Sequence, residues 1–241
     1  MNQTANLRTF SRYASLNMLG MIGISCYILA DTFFVSRGTG ATGLAALNIA
    51  IPAYNLLNGL GLMTGVGGAT QFSICRAQKD TQGADRAFTN AVFLGLGIGA
   101  LFLLLGVFGA TPLSYLLGAD AETFPLTSVY LRTLLSFSPF FVINNVLLAF
   151  VRNDGDPGRA MRGMVIGSLS NIVFDYLFIF PLGMGMFGAA LATGVSPIIS
   201  ILLQIGHLRK TSRGFHLLRI RPQVRAMPAL CAPGFSSLLG E

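Results

Sequence analysis

Six stretches of apolar residues, each long enough to cross a bilayer, follow one another with only short polar breaks, and no other feature constrains this chain as strongly. A helix needs about 20 apolar residues to span the hydrocarbon layer. The stretches run at about Tyr13 to Ser36, Leu44 to Ser73, Ala87 to Ala110, Leu126 to Phe150, Met161 to Phe180 and Phe187 to Leu208. The breaks between them are polar, Gly-rich or Pro-marked: Ser36 to Gly40, Arg76 to Arg86, Thr111 to Pro125, Arg152 to Gly158 and Pro181 to Met186. Inside lipid every backbone N–H and C=O must find a partner within its own segment, so such stretches fold as helices. Composition agrees: 53% of the 241 residues are hydrophobic and 10% charged, where a soluble domain carries roughly a quarter charged. The expected fold class is an all-α polytopic membrane protein, a bundle of six transmembrane helices.

Orientation follows from Lys and Arg, which are retained on the cytoplasmic side. Arg8, Arg12, Arg76, Lys79, Arg86, Arg152, Arg159, Arg162 and the six basic residues from Arg209 to Arg225 fall on one side of such a bundle, 14 of the 16; only Arg37 and Arg132 fall on the other. Both termini are therefore expected in the cytoplasm of a multi-pass protein of the plasma (inner) membrane. The net charge of +7 is accounted for by topology, with membrane lipid and no nucleic acid as its partner. The first apolar run is too long for a signal peptide and contains Asp31, so it reads as a span. Cys26, Cys75 and Cys231 have neither metal-ligand spacing nor an even count, and read as helix-packing residues. The glycines of the second and third spans (Gly59, Gly61, Gly65, Gly67, Gly68, Gly95, Gly97, Gly99) read as close-packing positions, since no strand precedes them to form a nucleotide loop. Pro52, Pro139 and Pro197 are expected to kink helices that line a cavity.

A carboxylate at membrane depth is costly, and by default it marks an ion or substrate path. Asp31 and Asp175 each lie five residues before the end of an odd-numbered span, roughly 8 Å inside the outer end at 1.5 Å per residue. Asn171 sits one turn deeper than Asp175 on the same face, and Tyr27 bears the same relation to Asp31. Thr193 enters the sixth span from outside and reaches the same layer. Carboxylate, carboxamide and hydroxyl oxygens suit a hard cation such as Na⁺, while two close carboxylates in a low dielectric form a proton acceptor; spacing alone leaves both uses open. Asn144 and Asn145 in the fourth span are expected to line the pathway lower down or to bond one helix to another. No cofactor beyond the bound cation, Na⁺ or H⁺, is called for.

These residues carry a resemblance. Tyr27-Ile-Leu-Ala-Asp31-Thr-Phe-Phe-Val-Ser, Gly43-Leu-Ala-Ala-Leu-Asn-Ile-Ala-Ile-Pro52 and Gly65-Val-Gly-Gly-Ala69, continued by Arg152-Asn-Asp-Gly-Asp-Pro157, Asn171-Ile-Val-Phe-Asp175 and Gly188-Ala-Ala-Leu-Ala-Thr193, resemble the first half of multidrug and toxic compound extrusion (MATE) transporters, nearest the DinF-like and MepA-like members. The resemblance implies cation-coupled export of organic, often cationic, small molecules by alternating access between two six-helix lobes. It puts cation binding on Asp31, Asn171, Asp175 and Thr193, and a surrounding polar network on Tyr27 and Asn145. It also implies a division into a six-helix N-lobe over residues 1–210, a basic cytoplasmic linker over 211–223 and the start of a seventh helix over 224–241, where Glu241 matches an acid of the second lobe. A twelve-span pattern makes a second transporter lobe the expected partner, or else makes the chain an inactive or interacting fragment of a truncated transporter gene. A flippase for lipid-linked oligosaccharides is the related alternative, and it needs basic residues in its cavity. An intramembrane aspartyl protease, the enzyme alternative, would need Tyr-Asp and Gly-x-Gly-Asp motifs, whereas these acids follow Ala30 and Phe174; no catalytic residue is expected.

Overall fold

The computed structural model describes residues 3–210, 213–218 and 227–239, and among these it contains helices and turns but no strand. In chain order the helices are α1 (Gln3–Ala77), α2 (Thr81–Leu116), α3 (Phe124–Ser136), α4 (Ser138–Asn153), α5 (Pro157–Ile179), α6 (Gly185–Leu208) and α7 (Met227–Leu239). Four of them are long and apolar enough to cross a membrane, and the bent pair α3/α4 makes a fifth crossing. The remaining crossing is hidden in the 75 residues of α1, which is two spans joined without a loop. At Gly40 the backbone takes φ 73° and ψ −164°, a conformation essentially open to glycine alone. The helix stops and restarts there within one residue.

Two expected boundaries are corrected. The fourth span is broken outright at Phe137, where α3 and α4 meet at 49°, so Pro139 stands in the first turn of a new helix. A proline at 139 leaves the Leu135 carbonyl without an amide donor. The Ser138 hydroxyl fills that gap, 2.6 Å from the Leu135 carbonyl and 2.8 Å from the Gly99 carbonyl of α2. The third span, in turn, continues past Ala110 to Leu116 and takes in Pro112. That ring interrupts a single ladder bond at Phe108, whose side chain is 80% exposed on the lipid-facing surface.

Small residues set the helix distances. A Cβ at Gly99 would stand 2.5 Å from the Pro139 backbone, and one at Gly65 would stand 2.7 Å from the Asn145 carbonyl. Gly61 and Gly95 likewise face Val142, so the second arm of α1, α2 and α4 pack at backbone contact. Gly97 faces open space instead, and Cys26 is exposed; neither packs a helix interface as the sequence reading held. Large apolar side chains such as Leu29, Leu104 and Leu202 point outward, which in a membrane bundle is the lipid side. Two helix starts are capped by aspartates: Asp80 accepts from the Gly83 amide of α2, and Asp156 from the Arg159 amide of α5. α7 lies against the second arm of α1, with Gly234 on the backbone of Met63 and Gly67. Glu241, Arg219, Arg221 and Arg225 lie outside the described residues.

Candidate cation site and cavity

The first arm of α1 and α5 run side by side in the same direction, as a first and a fifth span must. Gly20 meets Met164 at one end and Gly38 meets Ile179 at the other, a register offset of 144 residues falling to 141. Between these points the Phe34 ring packs on Tyr176 and Phe180, at 6.2 and 6.0 Å between centroids. This register brings Asp31 opposite the turn that carries Asp175. Both are buried, Asp31 at 8% exposure and Asp175 at none, and Oδ1 of each has no protein partner.

α6 closes the layer from the opposite direction. The Asn171 carboxamide lies between Asp175 and Thr193, 3.4 Å from Thr193 Oγ1. With its Nδ2 turned to the acid, it donates to Asp175 Oδ2 at 3.0 Å and accepts from the Thr193 backbone N–H at 3.3 Å, which removes an acceptor facing an acceptor. Thr193 Oγ1 bonds the Ala189 carbonyl at 3.1 Å. Pro197, four residues on, deprives the Thr193 carbonyl of its helical donor, so one more oxygen in this layer is released by sequence. Asp31, Asn171, Asp175 and Thr193 are thus brought into one buried layer, in which Asp31 and Asp175 each keep an unpaired oxygen.

Between this layer and the α4/α5 turn opens a cavity of about 300 Å³. Tyr27, Asn171 and Thr193 line it, and so do Asn144 and Asn145 of α4. Asn145 donates to Asn58 Oδ1 of α1 at 2.8 Å, a bond between helices, whereas Asn144 Oδ1 is buried without a partner. Three residues of this network escaped the sequence reading. Tyr54 shares a 2.9 Å hydroxyl contact with Tyr27, Asn58 holds Asn145, and Tyr130 of α3 stands among Asp31, Asp175 and Thr193. The signal for the first two was in plain view: Tyr54 and Asn58 are polar groups one turn apart on one face of an apolar span, the same spacing as Tyr27 and Asp31.

The MatE family profile matches residues 17–177, well over half of the chain. The chain belongs to the MatE family. Among relatives, the multidrug export protein MepA of Staphylococcus saprophyticus is 29% identical over 224 residues, which cover 92% of this chain and 50% of the relative. Solved structures of a multidrug resistance MATE family transporter match in its outward-facing conformation (TM-score 0.85, 30% identity, 95% of this chain and 51% of that one) and in its inward-facing conformation (TM-score 0.82, 31% identity, 88% and 49%). The chain spans about half the length of the curated relatives it matches. It is a multi-pass membrane protein with the fold of the N-terminal half of a MATE transporter.

At the far end of this MATE lobe the α4/α5 turn and the segment after α6 are knotted together by charge. Asp154 pairs with Arg76, approaches His207 Nε2 at 2.8 Å and accepts from the Gly214 amide. Phe215 follows, fully buried among Phe72, Phe88 and Phe150, with 4.5 Å between its centroid and that of Phe88. The His216 and Leu218 amides bond Asp85 and Thr89 of α2. Residues 213–218 thus form a strap pinned across the helix ends.

Beside it, partial burial of Asp156 works to raise its pKa, but hydrogen bonds from Lys210, His207 and the Arg159 amide outweigh this and hold the carboxyl well below the usual carboxylate range. A carboxyl with a lowered folded-state pKa contributes stability that is present above its unfolded value, about 3.9, and lost as pH falls through the folded value. The apparent melting temperature in detergent is therefore expected to fall as pH drops from about 5 to 3. Asp156→Asn should melt lower at neutral pH and show a shallower fall; a slope unchanged by the substitution would contradict this role.

Proposed function

We propose that this chain is the cation-coupled lobe of an antiporter that exports organic, predominantly cationic compounds across the plasma membrane, with both termini in the cytoplasm. One observation carries the reading: two buried carboxylates each keep an unpartnered oxygen, and one of them, Asp175, is bonded through Asn171 to Thr193 at the edge of a cavity. Burying such a pair costs several kcal/mol unless a cation or a proton compensates it, so the site holds one or the other as cargo. Na⁺ would be held by Asp31, Asp175, the Asn171 carboxamide and the oxygens of Thr193; a proton would be held by the acids. The cavity suits an organic cation, being lined by Tyr27, Tyr54 and Phe141, whose ring faces attract positive charge, and by neutral amides. A flippase for lipid-linked oligosaccharides needs basic side chains for phosphate, and Arg152 is the single basic residue in the described lining. In this reading a second lobe supplies the facing wall, since alternating access rocks one bundle against another around a midplane site.

Direct cation binding tests it. In lipid nanodiscs the chain is expected to bind ²²Na⁺ saturably with displacement by acid, or to take up protons in a pH-indicator titration, and to lose that binding in Asp31→Asn and in Asp175→Asn. Binding of both ions unchanged in both variants would refute the assignment.

A further inference from the structure

Below the cation layer α5 and α6 continue to face each other, and their facing stripes are unlike the rest of the bundle. On α5 the stripe is Gly163, Gly167, Asn171 and Asp175, one residue every four. On α6 it runs from Thr193 through Ser196, Ser200 and Gln204 to His207, a single helical face roughly 21 Å long at 1.5 Å per residue. The helices are antiparallel here, so Asn171 meets Thr193, Gly167 meets Ser200 and the Ser196 carbonyl, and Gly163 meets Ser200 and Gln204.

Glycines alone would mean close packing. What packing leaves unaccounted for is Gln204. Its side chain is wholly buried, yet neither Nε2 nor Oε1 has a hydrogen-bond partner in the protein, and the same holds for Ser200 Oγ at 2% exposure. Three polar atoms orphaned within one turn of each other are unfavourable in a low dielectric, and native interiors satisfy such groups with bridging water. The cavity reaches this level, since Gly163, Gly167, Ser196 and Ser200 all line it. One turn beyond Gln204, His207 presents its ring to Asp154 and Asp156 at the end of the bundle.

We propose that the α5/α6 seam from Asn171 to His207 is a hydrated inner leg of the cation route, in which Ser200 and Gln204 hold the waters that link the acid site to the Asp154 end of the bundle. This rests on the reading of Asp31 and Asp175 as a cation site and adds a path to it. Without Cβ atoms at 163 and 167, the Ser200 and Gln204 side chains come up against the α5 backbone, and the waters reach them from the cavity lined by Gly163, Gly167, Ser196 and Ser200. Either coupling ion uses the same chemistry: a proton relays along the waters, and Na⁺ moves with water and carboxamide oxygens as ligands.

The test reads water access directly. In the 241-residue chain with its three native cysteines replaced by alanine, Ser200→Cys, a near-isosteric change, is reconstituted in liposomes. A small charged methanethiosulfonate is then applied from each side in turn. From the Asp154 side, labelling is expected within about tenfold of Lys79→Cys, and at least a hundredfold faster than lipid-facing Leu202→Cys. Adding Gln204→Leu should slow it at least tenfold from that side alone, while Gln204→Asn, which keeps a carboxamide, should restore it to within about threefold. Labelling of Ser200→Cys as slow as that of Leu202→Cys, or a rate indifferent to Gln204→Leu, would overturn the proposal. These rates do not depend on cation binding. If the Asp31→Asn and Asp175→Asn chains both still bound cations unchanged while Gln204→Leu closed the seam, the cation reading would fail and the hydrated seam would stand.

Discussion

Asp31→Asn is expected to bring cation-driven dye efflux down to background in a two-lobe transporter that carries this sequence as its first lobe, while leaving insertion and expression intact. The amide keeps the shape of the side chain and removes its charge. Asp31 sits in a layer where Oδ1 has no protein partner and the nearest acid, Asp175, is already bonded through Asn171, so no neighbouring group takes over its charge. A coupling of even 2–3 kcal/mol between cation and substrate corresponds to about 30- to 150-fold in affinity, and loss of one of two carboxylates removes most of it. Asp31→Glu should recover part of the activity, because the charge returns at a displaced position. Efflux of an organic cationic dye, driven by an imposed Na⁺ or proton gradient, checks this. Normal gradient-dependent efflux in both Asp31→Asn and Asp175→Asn would mean that the acids are structural.

The largest effect on stability is expected at the opposite end. Asp154 is 2% exposed and serves Arg76, His207 and the Gly214 amide at once. Asp154→Ala leaves His207 Nε2 and the Gly214 strap amide without their partner, while His207 Nδ1 keeps Asp156. Each buried donor left unpaired in this way costs about 1–3 kcal/mol. Lys210→Ala provides the contrast, since Lys210 is 42% exposed where it pairs with Asp156, and an exposed pair contributes about 0–1 kcal/mol. Thermal unfolding in detergent, with hydrogen exchange read at residues 213–218, separates the two. The Asp154 variant should melt much lower and lose protection in the strap; equal melting of both variants would contradict the assignment.

How much of this was legible in the sequence depends on the range of each interaction. The six crossings, the interruption near Gly40 and the one-turn spacing of Asn171 and Asp175 are local properties of hydropathy and helix pitch, and the chain states them directly. The shared depth of Asp31, Asp175 and Thr193 also followed from rise per residue, because each lies within a few turns of a recognisable span end. Tyr130 and the Phe215 strap are different. Tyr130 looks like any aromatic residue of an apolar helix until α3 is placed against Thr193, and Phe215 lies in a basic segment with no periodicity to mark it as core. The break at Phe137 was read as a kink because Ser138-Pro139 announces a lost ladder bond but not the direction in which the chain resumes. That direction is set by contact with Gly99 of α2, a long-range fact.

Gly40 joins two arms of α1, each roughly 55 Å long at 1.5 Å per residue, and a peptide chain has only two soft torsions per residue. A loop of several residues would absorb a tilt of one arm without passing it on. A one-residue joint acts as a stiff elbow instead, so swinging the arm that bears Asp31 swings the arm that bears Tyr54 and Asn58. In the proposed transporter, binding a cation and reshaping the cavity wall would thereby be one mechanical event.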